Sequence, residues 1–201
     1  MAPALVLLAA GASERLGEPK ALVRLRPERP GSPLELLLAA GASLGDTRPL
    51  VVVGPAAKAV AAVLPPGVDS VVNRDWSAGR TGSVRVAVEA RPDRDLCLAP
   101  VDVPLVPAEV FAALAAEWRR LGEPARGWLA PFVTESGVPR HGHPIVVGRE
   151  LLGDLKELPP DRPLRELRAR ARPLAAIEVA SAAILDDLDT RADFERLVRR
   201  L

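Results

Sequence analysis

An apolar run that breaks into a loop of small residues constrains this chain more than any other feature of its sequence. Residues 4–9 carry no charge and predict a buried strand. The loop that follows contains Gly11 and Gly17 together with the strong cations Arg15 and Lys20. A strand leading into such a loop is how α/β proteins surround a phosphate with backbone N–H groups. A βα turn with two solvated surface cations is the alternative, and the loop alone does not separate the two.

The spacing of this loop excludes the two best-known phosphate-binding fingerprints. A dinucleotide loop needs G-x-G-x-x-G, and a Walker A loop needs G-x-x-x-x-G-K-[ST]. Gly11 and Gly17 are too far apart for either pattern, and Ala21, which follows Lys20, has no hydroxyl. The chain is therefore not expected to be a dinucleotide-dependent oxidoreductase.

Apolar runs and helical patterns alternate along the rest of the chain. Further strands are expected at 50–53, 68–72, 96–99, 128–133 and 144–147, and helices at 33–44, 56–64, 81–90, 107–121 and 191–200. Ser32 followed by Pro33 is a typical helix start. Continuous apolar strands between helices indicate a mostly parallel sheet covered on both faces, in a single domain over residues 1–201. Ligands of such sheets bind beyond the carboxyl ends of the strands.

Polar residues of unusual type follow two of these strands. Asn73, the only asparagine of the chain, opens a turn that also holds Gly79 and Ser83. Asp102 lies between apolar residues just after the strand at 96–99, and burying an unpaired carboxylate there is costly. A bound Mg²⁺ resolves that cost, since Mg²⁺ prefers one or two carboxylates plus phosphate oxygens. A helix N-cap or an arginine partner is the alternative for Asp102.

Composition excludes several classes of function. Hydrophobic residues make up 48% of the 201 and the net charge is +1, so the chain is expected to be globular, with no general attraction to nucleic acid or to anionic membranes. One cysteine, Cys97, allows no internal disulfide. No apolar stretch suits a signal peptide or a membrane span, and a cytoplasmic location is expected by default.

The order of these motifs resembles the MobA-like NTP transferase family, and most closely its branch that attaches CMP or GMP to molybdopterin. The first loop reads L-A-A-G-x-S-x-R-x-G-x-x-K, and the turn after the third strand reads N-x-x-W-x-x-G-x-x-x-S. The resemblance implies a three-layer, Rossmann-like nucleotidyltransferase fold. It also implies a set of nucleotide-binding residues: Leu8, Ala9, Ala10, Gly11, Ser13, Arg15, Gly17, Lys20, Asn73, Gly79 and Ser83.

The same resemblance implies the metal-binding and acceptor-binding residues. The segment at Asp102 matches D-x-P-x-V, whose Asp binds the metal, and residues 187–193 match D-x-D-T-x-x-D. Asp189 is then the second candidate ligand, although an Asp189-Thr190 pair is equally suited to capping the last helix. The G-H-P segment places His143 in the acceptor pocket. In place of the family's Arg before that Gly stands His141.

The implied activity is Mg²⁺-dependent transfer of a nucleoside monophosphate from an NTP to a phosphorylated acceptor, with release of pyrophosphate. Lys20, Arg15 and Asp102 are the expected catalytic residues. The L-A-A-G form of the loop favours CTP over GTP, and the acceptor favoured by the resemblance is molybdopterin, with a molybdoenzyme or its chaperone as a client. The alternatives are a sugar- or alcohol-phosphate nucleotidyltransferase and a nucleotide-binding domain without turnover.

Overall fold

The computed structural model describes residues 1–13, 16–28, 30–159 and 161–201. Its strands are β1 (Ala4–Ala9), β2 (Leu50–Val53), β3 (Asp69–Val72), β4 (Leu96–Pro100), β5 (Trp128–Glu135), β6 (Val138–His141), β7 (Ile145–Val147) and β8 (Leu174–Glu178). Its α-helices are α1 (Pro33–Gly41), α2 (Ala57–Ala61), α3 (Arg80–Ala90), α4 (Ala108–Arg120), α5 (Arg149–Gly153) and α6 (Arg191–Val198).

The strands form one mixed, mostly parallel sheet, and this confirms the predicted α/β class. Their order is β3-β2-β1-β4-β7-β5-β6, with β8 parallel to β5. The four strands β3, β2, β1 and β4 are all parallel to one another, whereas β7 is antiparallel to both β4 and β5. The chain winds outward from β1 to β3 and then crosses to β4 on the other side of β1. A crevice therefore opens between the ends of β1 and β4, where α/β sheets bind their ligands.

Alternating side chains of the central strand pack into two cores, one on each face of the sheet. Leu5 and Leu7 of β1 join a cluster with Leu37 of α1 and Phe111 and Trp118 of α4. On the opposite face, Val6 joins a cluster with residues of α3 and α5. Because both faces of β1 are covered, all of its side chains are apolar.

Local signals set several element boundaries. Ser32 caps α1 through a capping box, in which its hydroxyl accepts from the N–H of Glu35 and the Glu35 carboxylate accepts from the N–H of Ser32. The helix predicted at 56–64 is shorter than expected, since α2 spans only Ala57–Ala61. β6 and β8 were not predicted. Both lie at edges of the sheet. β6 exposes all four of its side chains and carries no apolar run, whereas residues 174–177 of β8 are all apolar but form a short run that is exposed at alternate positions.

None of the helices in the described parts of the chain is both long enough and apolar enough to cross a lipid bilayer.

Candidate active site

A cavity of about 410 Å³ lies at the carboxyl ends of β1 and β4. Its walls come from the loop after β1, the start of α3, the residues after β4 and the segment before α6. Most of the residues predicted from the sequence to bind nucleotide or metal line this cavity: Leu8, Ala9, Ala10, Gly11, Ser13, Lys20, Ser83, Asp102 and Asp189. Distant parts of the sequence, from both ends and the middle, thus converge on one site.

Ser13 organises the loop that follows β1. Its carbonyl oxygen accepts from the N–H groups of Leu16 and Gly17 at 3.0 and 3.2 Å, and its hydroxyl accepts from the N–H of Lys20 at 2.9 Å. Ser13 itself has a left-handed φ of 58°, and Gly17 has a φ of 81°. Arg15, predicted to hold the triphosphate, lies outside the described residues.

Gly11 leaves open space beside its backbone, since a Cβ built there would meet no atom within 4 Å. A phosphate group can therefore approach this backbone closely.

Gly17, Asn73 and Gly79 do not line the cavity. Asn73 is buried and donates to the Ser83 hydroxyl at 3.0 Å, so it positions a cavity residue.

Lys20 is largely buried and forms an ion pair with Asp189 across the cavity. Asp189 does not cap α6. That role belongs to Thr190, whose hydroxyl accepts from the N–H of Asp193 while the Asp193 carboxylate accepts from the N–H of Thr190. Hydrogen bonds from Thr190, above all from its hydroxyl, hold the pKa of Asp193 at about 2. The Asp189 carboxylate pairs with Lys20 at the cavity, while its neighbours provide the cap of α6.

The two carboxylate oxygens of Asp102 differ in their hydrogen bonding. Oδ2 accepts from Nη2 of Arg80 at 2.9 Å. Oδ1 is buried and has no hydrogen-bond partner among the described residues. An unpartnered, buried carboxylate oxygen is costly, and a cation relieves that cost.

The segment before α6 adds further negative charge beside Asp102. The N–H of Leu188 donates to the carbonyl oxygen of Asp102 at 2.7 Å and ties the two chain segments together. The pKa of Asp187 is raised, first by burial and then by the carboxylates of Asp102 and Asp189. Within residues 1–13, 16–28, 30–159 and 161–201, no three His, Cys, Asp or Glu side chains form a group that could hold a metal ion. A Mg²⁺ ion held by Asp102 and Asp189 would complete its ligands with phosphate oxygens, and this donor set is the one that Mg²⁺ prefers.

A second cavity of about 610 Å³ adjoins the first, and Leu8 and Arg80 line both. One wall is apolar and includes Trp128 and Ile145. Another wall comes from residues 161–168, which contribute Arg162, Arg165 and Arg168 together with Asp161. Thr81 of α3 ties this wall to the sheet by donating to the carbonyl oxygen of Arg162 at 2.6 Å.

His143 lines the second cavity, as do His141 and Gly142. Burial lowers the pKa of His143 to about 4, with the Asp102 carboxylate opposing the shift and the Arg80 guanidinium reinforcing it. Its Nδ1 is buried and has no hydrogen-bond partner among the described residues. The side chain is therefore neutral at pH 7 and keeps an unused hydrogen-bonding atom.

Arg80 and the three arginines of the second cavity were missed by sequence reasoning. Arg80 lies inside the N-x-x-W-x-x-G-x-x-x-S motif, at a position that the motif leaves open, and Arg162 to Arg168 lie in a segment with no motif. The signal that could have found them is charge, because arginines are dense between residues 162 and 172 in a chain of net charge +1.

Comparison with known proteins supports a nucleotidyltransferase. A sequence model described as the MobA-like NTP transferase domain matches residues 5–176. No curated protein matches the sequence.

Solved structures match over nearly the whole chain. Rv0371c from Mycobacterium tuberculosis H37Rv is 29% identical, with 99% of this chain and 100% of that one covered and a TM-score of 0.80. A complex of the same mycobacterial protein with manganese is 28% identical, covers 98% of each chain and has a TM-score of 0.75. The 2-C-methyl-D-erythritol 4-phosphate cytidylyltransferase from Thermus thermophilus is 18% identical, with 100% of this chain and 98% of that one covered, and shares the fold with a TM-score of 0.72.

Proposed function

Since the chain belongs to the MobA-like NTP transferase family, we propose that it transfers a nucleoside monophosphate from an NTP to a phosphorylated small molecule. The observation that carries this proposal is the presence of a cation, Lys20, and a buried, unpartnered carboxylate oxygen of Asp102 in one cavity. A nucleoside triphosphate with a divalent cation offers an opposite charge to each of these groups. We also propose that residues 1–201 form one domain.

In this mechanism an oxygen of the acceptor phosphate attacks the α-phosphorus of the NTP. One P–O bond forms, the α–β phosphoanhydride bond breaks, and pyrophosphate leaves. The nucleophile is already an anion, so no side chain has to remove a proton. Catalysis consists of positioning and of neutralising charge.

The residues of the first cavity divide this work. Lys20 and Arg15 hold the triphosphate oxygens, and the open backbone at Gly11 allows close approach of the phosphates. Asp102 and Asp189 would hold Mg²⁺, which neutralises phosphate charge when it is bound. A relative of this chain crystallised with manganese, and this supports a divalent cation. Ser83 and Trp76 line the part of the cavity left for the ribose and base.

The second cavity suits the acceptor. Its arginine wall attracts an anionic group, and the wall with Trp128 suits an apolar or planar body. The neutral His143 can exchange hydrogen bonds with the acceptor through its Nδ1. Because the L-A-A-G loop resembles the cytidylyl members, we propose CTP as the donor and molybdopterin as the acceptor, with GTP as the second donor.

Binding of the donor is tested first by thermal unfolding with ATP, CTP, GTP and UTP, each with and without Mg²⁺. A ligand at about 100 times its Kd stabilises the folded state by about 2.7 kcal/mol. We expect that only one of the four nucleotides, CTP or else GTP, raises the Tm, and that the rise requires Mg²⁺. No rise with any of the four would contradict the proposed donor site.

Catalysis is tested by pyrophosphate release in variants of the two charged residues. Asp102→Ala and Lys20→Ala should each lower turnover by about 10²–10³-fold, because each removes a charge that the reacting phosphates require. Lys58→Ala is the matched control, since Lys58 is exposed on α2 and should leave turnover unchanged. Near-normal turnover in either site variant would remove that residue from the mechanism.

A further inference from the structure

Arg80 occupies an unusual place between the two cavities. It is the first residue of α3 and follows Gly79, whose φ of 123° turns the chain into the helix. Its side chain lines the first cavity beside Asp102 and the second beside His143. A group that lies on this boundary faces the point where a nucleotide phosphate and an acceptor phosphate must meet.

The ion pair of Arg80 involves the carboxylate that the proposed function assigns to the metal. Arg80 holds one oxygen of Asp102, so a cation at the other oxygen, Oδ1, would meet the guanidinium charge on the same carboxylate. Nη2 of Arg80 donates to Oδ2 of Asp102 at 2.9 Å. The Arg80 side chain is 61% exposed, whereas that of Asp102 is 16% exposed. A pair with one partner this exposed contributes little stability, so a stronger cation can displace it at low cost.

The guanidinium of Arg80 lies beside Asp102, and Arg80 and His143 both line the second cavity. Two other cations of the site pair with carboxylates other than Asp102: Lys20 pairs with Asp189, and Arg162 pairs with Glu166 at 2.6 Å.

We propose that Arg80 exchanges partners during the reaction. In the free protein its guanidinium holds Asp102; when an NTP with its divalent cation occupies that carboxylate, Arg80 moves to the phosphate oxygens where the two cavities join. This proposal rests on the proposed function. It makes Arg80 both a competitor for the metal site and a catalytic residue.

The exchange follows from the charges of the reaction. The acceptor phosphate and the α-phosphate are both anions, and they repel each other on approach. A guanidinium can donate to an oxygen of each with its planar fork, which a lysine cannot reproduce. Arg80 needs no backbone movement for this change, since its exposed side chain already lines both cavities.

The first test is metal affinity in the absence of nucleotide, measured by titrating Mn²⁺ and following free Mn²⁺ by electron paramagnetic resonance. Arg80→Met removes the competitor and should tighten Mn²⁺ binding by about three- to fivefold, the equivalent of a surface ion pair. Arg74→Met is the matched control, because Arg74 is exposed in the same turn and lines neither cavity. Unchanged or weaker Mn²⁺ binding in Arg80→Met would overturn the competition.

The second test is turnover of the same variants. With CTP and molybdopterin as substrates, Arg80→Met should lower kcat by about 100-fold or more and raise the KM for molybdopterin, while the Kd for CTP with Mg²⁺ stays within about fivefold of the wild-type value. Arg80→Lys should recover only part of kcat, because it keeps the charge and loses the fork. A wild-type kcat in Arg80→Met would overturn the catalytic role.

The two readouts separate this proposal from the proposed function. If the wild-type protein shows no turnover with any of the four NTPs, the nucleotidyltransferase proposal fails, and the catalytic half of the exchange fails with it. The Mn²⁺ titration decides the competition at Asp102 in either case.

Discussion

At the scale of single residues, the structure separates groups that touch the cavity from groups that hold them in place. Lys20, Asp102 and Asp189 have charged atoms at the cavity, whereas Asn73 acts through its hydrogen bond to Ser83. The Ser13 hydroxyl accepts from the backbone of Lys20, so its first role is to shape the loop. A sequence motif does not distinguish these two kinds of residue. A substitution of a residue at the cavity should nevertheless have a different effect from a substitution of a residue that positions it.

The lowered pKa of His143 predicts that the stability of the protein depends on pH. Its pKa is 6.5 in the unfolded chain and about 4 in the folded protein, so unfolding takes up a proton in this interval. The free energy of unfolding should therefore fall as the pH decreases from 6.5 to 4, and His143→Gln should reduce this fall. Since the imidazole keeps some contact with solvent, we expect a difference of about 1–2 kcal/mol, measured by urea unfolding at several pH values.

The control for this experiment is His141→Gln. His141 is exposed at the end of β6, so its removal should keep the wild-type pH dependence. If His143→Gln and wild type lose stability in parallel between pH 6.5 and 4, the acid sensitivity belongs to other groups.

At the scale of elements, the turn between β6 and β7 meets the segment that precedes α6. The N–H of His143 donates to the carbonyl oxygen of Ile184 at 3.0 Å. A Cβ on Gly142 would lie 2.3 Å from that same oxygen. This close approach holds a wall of the second cavity against the segment that carries Asp187 and Asp189.

Gly142→Ala should therefore destabilise the protein by about 1–3 kcal/mol, because backbone has to move to admit the methyl group. Urea unfolding measures this loss. Gly153→Ala is the control: Gly153 is the last residue of α5, and its Cβ would meet no atom within 4 Å. The control should be neutral or slightly stabilising, and an equal loss in both variants would mean that the contact with Ile184 does not matter.

At the scale of the whole molecule, the site joins the loop after β1 and the segment before α6 to residues from the middle of the sequence. A small third core, defined by Val23, Leu25, Leu188 and Leu197, joins the loop after β1 to the segment around α6. This third core keeps Lys20 opposite Asp189. The stability of the fold and the geometry of the site are thus coupled through packing that lies outside the sheet.

Leu188→Ala tests this coupling. Leu188 is fully buried, so its truncation should cost about 2–4 kcal/mol in urea unfolding. It should also weaken binding of an NTP with Mg²⁺, since Asp189 is the next residue. Leu174→Ala on the exposed edge strand β8 should cost about 0.5 kcal/mol or less, and it should leave nucleotide binding unchanged. Equal effects of the two substitutions would refute the coupling.

The sequence by itself determined the elements whose signals are local. The apolar run of β1, the Ser32-Pro33 start of α1 and the alternation of strands and helices need no distant partner, so they predicted the α/β class and brought Asp102 to a strand end. They also placed most of the predicted nucleotide and metal residues near one edge of the sheet. The roles of these residues stay predictions until the variants are measured.

Only the tertiary structure decided which side chains meet. The edge strands β6 and β8 pair with β5, although β6 has only exposed side chains and β8 is exposed at alternate positions. The Arg80–Asp102 pair, the arginine wall of the second cavity and the ion pair that directs Asp189 to Lys20 all depend on packing between segments far apart in sequence. A side chain's partner is set by the position of another chain segment, and no local propensity encodes that position.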